Sequence, residues 1–226
     1  MPEPVGLFDL DDTLIQRRTT FERWAAEFST EHQVPLEWLL KTDPAYSSRR
    51  VEFFELVKAS FGVRPGVPEL HAQYRRRMPE LVEPDPQVCA MLACLREAGW
   101  RLGVVTNGME VNQEHRRLRA KIHHAGLSDL AAAGVISGAV GVWQPDPRIF
   151  HLALKDRRVP AGAPVWMAGD NLDADVAGAL AAGLSTVWVS PGRSLPGEGP
   201  RPHHTARTVT EVAALIMQQD EGGKWR

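Results

Sequence analysis

The chain has 226 residues, with 26 basic and 28 acidic side chains, a formal net charge of −2, 43% hydrophobic and 24% charged residues. This excludes a mainly disordered chain, which would lack apolar surface to bury, and a dedicated nucleic-acid binder, which carries a basic excess. The length suits one large domain, or one domain with a smaller insert.

The basic residues are 21 Arg and only 5 Lys: Lys41, Lys58, Lys121, Lys155 and Lys224. Met1 to Gly6 has no basic region, so no signal peptide is read, and no run approaches the roughly 20 apolar residues of a membrane span. Cys89 and Cys94 have neither metal nor disulfide spacing, and read as buried, reduced thiols of a cytoplasmic protein.

In chain order, Val5–Asp11 is a short apolar run of the kind buried on both faces of a parallel sheet. The stretch from Ile15 to Glu83 lacks such a run and reads as four amphipathic helices, Thr19–Ser29, Pro35–Leu40, Arg50–Ser60 and Pro68–Arg77. Glu83-Pro84-Asp85-Pro86 discourages helix and marks re-entry. Strands are then expected at Arg101–Thr106, Gly134–Ser137, Val165–Gly169 and Ser185–Val189. Helices are expected at Pro86–Ala98, Val111–Ala125, Arg148–Arg158, Ala174–Ala182 and Val209–Gln219. Strands alternating with helices imply an α/β fold with a parallel sheet. Trp143, Trp166 and Trp188 are assigned to its core, and Trp24 and Trp38 to packing of the insert helices.

Ligands of open parallel sheets bind beyond the carboxyl ends of the strands. Those ends read Asp9-Leu10-Asp11-Asp12-Thr13, Thr106-Asn107-Gly108, and Gly169-Asp170 with Asp173 and Asp175 close behind. Several carboxylates on one rim repel each other unless a cation neutralises them, and oxygen ligands suit Mg²⁺. Asp173 alone reads as a solvated or capping residue. Arg75–Arg77 and Arg116-Arg117 fall on charged outer helix faces, and the adjacent pairs His123-His124 and His203-His204 point apart, so neither nucleic-acid nor metal binding is read there.

Four ordered motifs, FDLDDTL (Phe8–Leu14), VVTNG (Val104–Gly108), QPDPRIF (Gln144–Phe150) and GDNLDADVAGALAAG (Gly169–Gly183), resemble the haloacid dehalogenase (HAD) superfamily over nearly the whole chain. The resemblance implies a Rossmann-like core, residues 1–14 and 84–226, with a helical cap, residues 15–83, inserted after the first strand. It points to the helical-cap branch that includes phosphoglycolate-phosphatase-like and nucleotidase-like enzymes. Having both Asp9 and Asp11 sides with phosphatases rather than dehalogenases. The implied roles are nucleophile for Asp9 and general acid and base for Asp11. Mg²⁺ would sit on Asp9, the Asp11 carbonyl and Asp170, with Asp175 supporting it and Thr13 shaping the first turn. Thr106, Asn107 and Gln144 would face the phosphoryl group, and Arg17 and Arg18 could reach substrate. The implied partner is a small phosphorylated metabolite; no nucleic acid or membrane is expected, and the chain would be a monomer or homodimer.

One position departs from the family pattern. A Lys normally precedes Pro-Asp-Pro, and here Gln144 stands there, able to hydrogen-bond but uncharged. Three readings follow: another cation substitutes (Arg148, Lys121, Arg17 or Arg18), the enzyme is slow or selective, or the site only binds a phosphorylated ligand. Lys155 lies too far into its helix to substitute.

Overall fold

The computed structural model describes residues 2–47, 49–107, 120, 122–128, 135–156 and 158–221. They fall into two compact units, Met1–Gln16 with Pro84–Arg226, and Arg17–Glu83. The helix expected over Val111–Ala125 lies mostly outside the described residues, as do Lys121 and Arg116-Arg117.

The first unit is built on a parallel sheet of β1 (Val5–Phe8), β2 (Arg101–Thr106), β3 (Val135–Ile136), β4 (Val165–Gly169), β5 (Ser185–Val189) and β6 (His204–Ala206), in the order β3-β2-β1-β4-β5-β6. Its central strands are buried on both faces, which is why they read as continuous apolar runs. From β1 the chain fills the sheet toward β2 and β3, then crosses back to add β4, β5 and β6 on the other side. The carboxyl ends of β1 and β4 therefore flank the point where the winding reverses, where such sheets leave a crevice. Phe8 pairs with Val104 on one side and Ala168 on the other, so β2 and β4 run only two and one residues past the end of β1.

Among the described residues, the helices of this unit include α5 (Pro86–Glu97), α6 (Ser137–Val140), α7 (Pro147–Asp156), α8 (Gly178–Ala181) and α9 (Thr210–Glu221). Asp85 caps α5 by accepting from the Gln87 amide at 2.8 Å, with Pro86 in its first turn. The stretch expected as one helix from Ala174 begins earlier, as a wide π turn over Leu172–Ala177 that runs into α8. Three further expectations are corrected. β6 was not foreseen; it is anchored where the Thr186 amide donates to His203 Nδ1 at 3.1 Å and the His203 amide to Thr186 Oγ1 at 3.2 Å. Trp143 is 48% exposed rather than in the core, because it lies in the turn between α6 and α7. Cys94 is exposed on α5, not buried.

The second unit comprises α1 (Arg17–His32), α2 (Leu36–Tyr46), α3 (Arg50–Phe61) and α4 (Val67–Glu80). Phe21, Trp24, Phe28, Leu39, Phe53, Phe54 and Leu70 form its core, and Trp24 stacks on Phe28 with centroids 4.7 Å apart. Inside it lies an ion cluster: buried Asp43 accepts from Arg17 Nη2 at 2.8 Å and Arg50 Nη2 at 2.7 Å. The Arg50 guanidinium carbon sits 5.2 Å from the Phe21 ring, 4.9 Å from Phe53 and 5.0 Å from Tyr74, so aromatic faces share its charge. α2 runs beyond the Leu40 expected as its end, to Tyr46, and this brings Asp43 inside, where it is paired.

Removing Asp43 takes the carboxylate from the buried Arg50 guanidinium and one carboxylate partner from Arg17. Asp43→Ala is expected to cost about 3–5 kcal/mol in chemical denaturation of the intact chain. Glu27→Ala, which breaks an exposed pair with Arg77, should cost under about 1 kcal/mol. Equal losses for the two variants would contradict this account of the cluster.

Candidate active site

The site forms where β1, β2 and β4 end. The Asp9 amide donates to the Ala168 carbonyl at 2.9 Å, locking the end of β1 to β4. The chain then turns tightly: the Leu14 and Ile15 amides donate to the Leu10 carbonyl at 3.0 and 2.9 Å, and Asp12 adopts φ 58°, a left-handed conformation that Asp tolerates. Asp9 is 9% exposed, and Asp11 is half-buried.

Carboxylate oxygens of Asp9, Asp170 and Asp175 all lie within 4.8 Å of one another. Gly169 permits this approach, because a Cβ there would overlap the Asp175 carboxyl group. Asp175 accepts from the Asn171 amide at 2.9 Å and from Gln144 Nε2 at 2.7 Å. Gln144 is itself buried, and its main chain is clamped by Asn107: the Gln144 amide donates to Asn107 Oδ1 at 2.9 Å, and Asn107 Nδ2 donates to the Gln144 carbonyl at 3.2 Å. Gln144 thus stands where the family Lys is expected, and it gives Asp175 a neutral hydrogen bond.

The electrostatics follow from this packing. Burial pushes the Asp9 carboxyl well above its ordinary range, reinforced by repulsion from Asp175, Asp11 and Asp170 and opposed by the Leu10 amide. Burial also raises Asp175, to about 7, with the hydrogen bonds from Asn171 and Gln144 acting against it. Asp170 is raised by burial and by Asp12, and Arg193 opposes the rise. A cluster of buried carboxyls that resists ionisation in this way fits a hard divalent cation in chemistry and spacing.

Of the cations considered to replace the missing Lys, Arg148 is largely exposed and bound to Asp146 at 2.6 Å. Arg17 is paired with Asp43, and Arg18 is exposed and paired with Glu22 at 3.1 Å. The cation in contact with the cluster was missed: Arg193, whose Nη2 donates to the Asp170 carbonyl at 2.8 Å and lies 3.5 Å from Asp170 Oδ2. Its signal was present, since it follows the carboxyl end of β5 by four residues, but the reading stopped at Ser190-Pro191-Gly192. Thr106, at the end of β2, is buried. Thr13 is buried too, and its Oγ1 has no hydrogen-bond partner among the described residues.

Two outcomes follow. Gly169→Ala should displace Asp175 and lower stability by about 1–3 kcal/mol, as overpacking does, read by chemical denaturation; an unchanged midpoint would contradict the close approach. Because the folded-state pKa of Asp175 is raised, the native protein holds a proton that the unfolded chain releases. Its contribution is present below about pH 4 and is lost as pH rises through about 7. In EDTA, Asp175→Asn should therefore gain stability relative to the native chain between pH 5 and pH 8; a pH-independent difference would contradict the assignment.

The profile of the haloacid dehalogenase-like hydrolases matches residues 6–183. The pyrimidine 5'-nucleotidase YjjG of Escherichia coli K12 is 29% identical, with 93% of this chain and 96% of that protein covered. A glyceraldehyde 3-phosphate phosphatase of Methanopyrus kandleri is 33% identical, with 83% of this chain and 84% of that protein covered. In fold, the chain matches the putative HAD-hydrolase YfnB of Bacillus subtilis at a TM-score of 0.72 and 21% identity, over 96% of this chain and 100% of the other. The profile covers well over half of the chain, and the chain belongs to the haloacid dehalogenase-like hydrolases.

Proposed function

We propose that the protein is a cytoplasmic, Mg²⁺-dependent phosphatase of a small phosphorylated metabolite, working through an aspartyl-phosphate on Asp9. The observation that carries this reading is the convergence of Asp9, Asp170 and Asp175 at the sheet's reversal point. Asp9, the Asp11 carbonyl and Asp170 would hold the metal, with Asp175 supporting it. The bound ion supplies positive charge that lets a phosphate dianion approach a carboxylate.

The residues then divide the work. A carboxylate oxygen of Asp9 attacks phosphorus in line, and the bond from phosphorus to the ester oxygen breaks. Asp11 gives its proton to that departing oxygen. Asp11 next takes a proton from water, whose oxygen attacks the same phosphorus. Inorganic phosphate leaves and the Asp9 carboxylate returns. Thr106 and the Asn107 amide donate to the phosphoryl oxygens, where charge is spread in the transition state. The side chain of Asn107 is already committed to Gln144, so only its main chain is assigned this role. The helical unit Arg17–Glu83 is assigned the part of a cap that excludes water.

The neutral bond from Gln144 to Asp175 favours a second reading, a protein that retains phospho-ligand binding and has lost turnover. Phosphate release over a metabolite panel with Mg²⁺ separates the two, using the native chain, Asp9→Asn and Gln144→Lys. The phosphatase reading predicts turnover by the native chain and its loss by at least about a thousandfold in Asp9→Asn. A native chain silent on every ester, with activity appearing in Gln144→Lys, would establish the binding protein instead.

A further inference from the structure

Among the described residues Arg193 is a cation held against the acidic rim, and neither the motifs nor the proposed chemistry employs it. Three oxygens hold its Nη2: the Asp170 carbonyl at 2.8 Å, the Val189 carbonyl at 3.2 Å and Asp170 Oδ2 at 3.5 Å. Its guanidinium carbon lies 5.3 Å from the ring centroid of Trp188, whose Nε1 donates to the same Asp170 carbonyl at 2.9 Å. The main chain is tied as well, because Ser190 Oγ donates to the Arg193 carbonyl at 3.0 Å. The side chain is therefore ordered before any ligand arrives, which removes much of the entropic cost of using it.

Half of that side chain nevertheless faces solvent, at 50% exposure. Its Nε and Nη1 make no hydrogen bond among the described residues. A guanidinium presents five N–H donors in a fixed plane suited to carboxylate and phosphate oxygens. Here the anchored Nη2 grips the protein, while the remaining donors make no hydrogen bond among the described residues of this half-exposed side chain. Around it, Asp9, Asp11, Asp12, Asp170 and Asp175 would repel any anionic part of a substrate other than the transferred phosphoryl group. A fixed positive charge in contact with Asp170 offsets that repulsion on its side of the site.

We infer that Arg193 is a specificity residue that binds a second anionic group, a carboxylate or a second phosphate, on the phosphomonoester substrate. This rests on the phosphatase reading and narrows its substrate class to small metabolites anionic at both ends. An exposed Arg that merely braced Asp170 would act on every ester alike; a substrate contact acts only on those with the second charge.

The test measures kcat and KM for three esters: glycerol 3-phosphate with a neutral remainder, 3-phosphoglycerate with a carboxylate, and fructose 1,6-bisphosphate with a second phosphate. The native chain should favour at least one anionic ester by about tenfold in kcat/KM, and which one identifies the group recognised. Arg193→Gln should reduce that selectivity ratio about tenfold through KM, and Arg193→Lys should restore part of it, since one ammonium cannot both hold Asp170 and reach the ligand. A native chain without preference, or a ratio unaltered in Arg193→Gln, overturns the inference. Silence toward all three esters would instead count against the phosphatase reading. The inference is then decided by calorimetric binding of 3-phosphoglycerate and fructose 1,6-bisphosphate, where weaker binding by Arg193→Gln supports it and equal binding overturns it.

Discussion

Mutual repulsion among buried carboxyls is the constraint around which this protein is organised. Asp9 and Asp175 are nearly inaccessible to water, and Asp170 stands between them and Arg193. Each has its charged form disfavoured first by burial; Asp175, Asp11 and Asp170 add repulsion at Asp9, Asp170 adds it at Asp175, and Asp12 and Asp11 add it at Asp170. Such an arrangement is a poor contributor to stability by itself. It becomes favourable when positive charge enters, so it is best understood as a site held ready for a cation and an anionic substrate.

The surrounding fold makes that arrangement possible with few parts. Neighbouring parallel strands that end within two residues of one another place Asp9, Thr106 and Asp170 on one edge. The bare Cα of Gly169 lets Asp175 fold back over the end of β4. Asn107 clamps the main chain of Gln144, and Gln144 in turn orients Asp175. Gln144 therefore serves as an orienting group without charge, and the positive side chain found at the rim lies on the opposite flank, at Arg193. The surplus of Arg over Lys acquires meaning at this single position, since an ammonium could not stack on Trp188 and bridge the oxygens that Arg193 does.

Much of this could be read from the residues. Buried parallel strands leave uninterrupted apolar runs, so Val5–Phe8 and Val165–Gly169 announced themselves and carried Asp9 and Asp170 with them. Features set by distant pairing were less visible. The helix expected over Pro35–Leu40 runs on to Tyr46 and carries Asp43 to partners 26 and 7 residues away, which no local pattern signals. β6 spans three residues in a stretch following many Pro and Gly, too short for any periodicity. Trp143 has the composition of a core residue, and only the turn before α7 places it outside. Arg193 resembled any surface Arg until Asp170, 23 residues earlier, was brought against it.

The central claim is that the carboxyl cluster is completed by a divalent cation. The direct measurement is the thermal midpoint of the metal-free chain as Mg²⁺ is added, alongside Asp170→Asn. Binding to the folded state alone must raise the midpoint in step with the logarithm of metal concentration above the dissociation constant. The account predicts that rise for the native chain and its loss in Asp170→Asn. A native midpoint indifferent to Mg²⁺, or an equal rise in the variant, would contradict it.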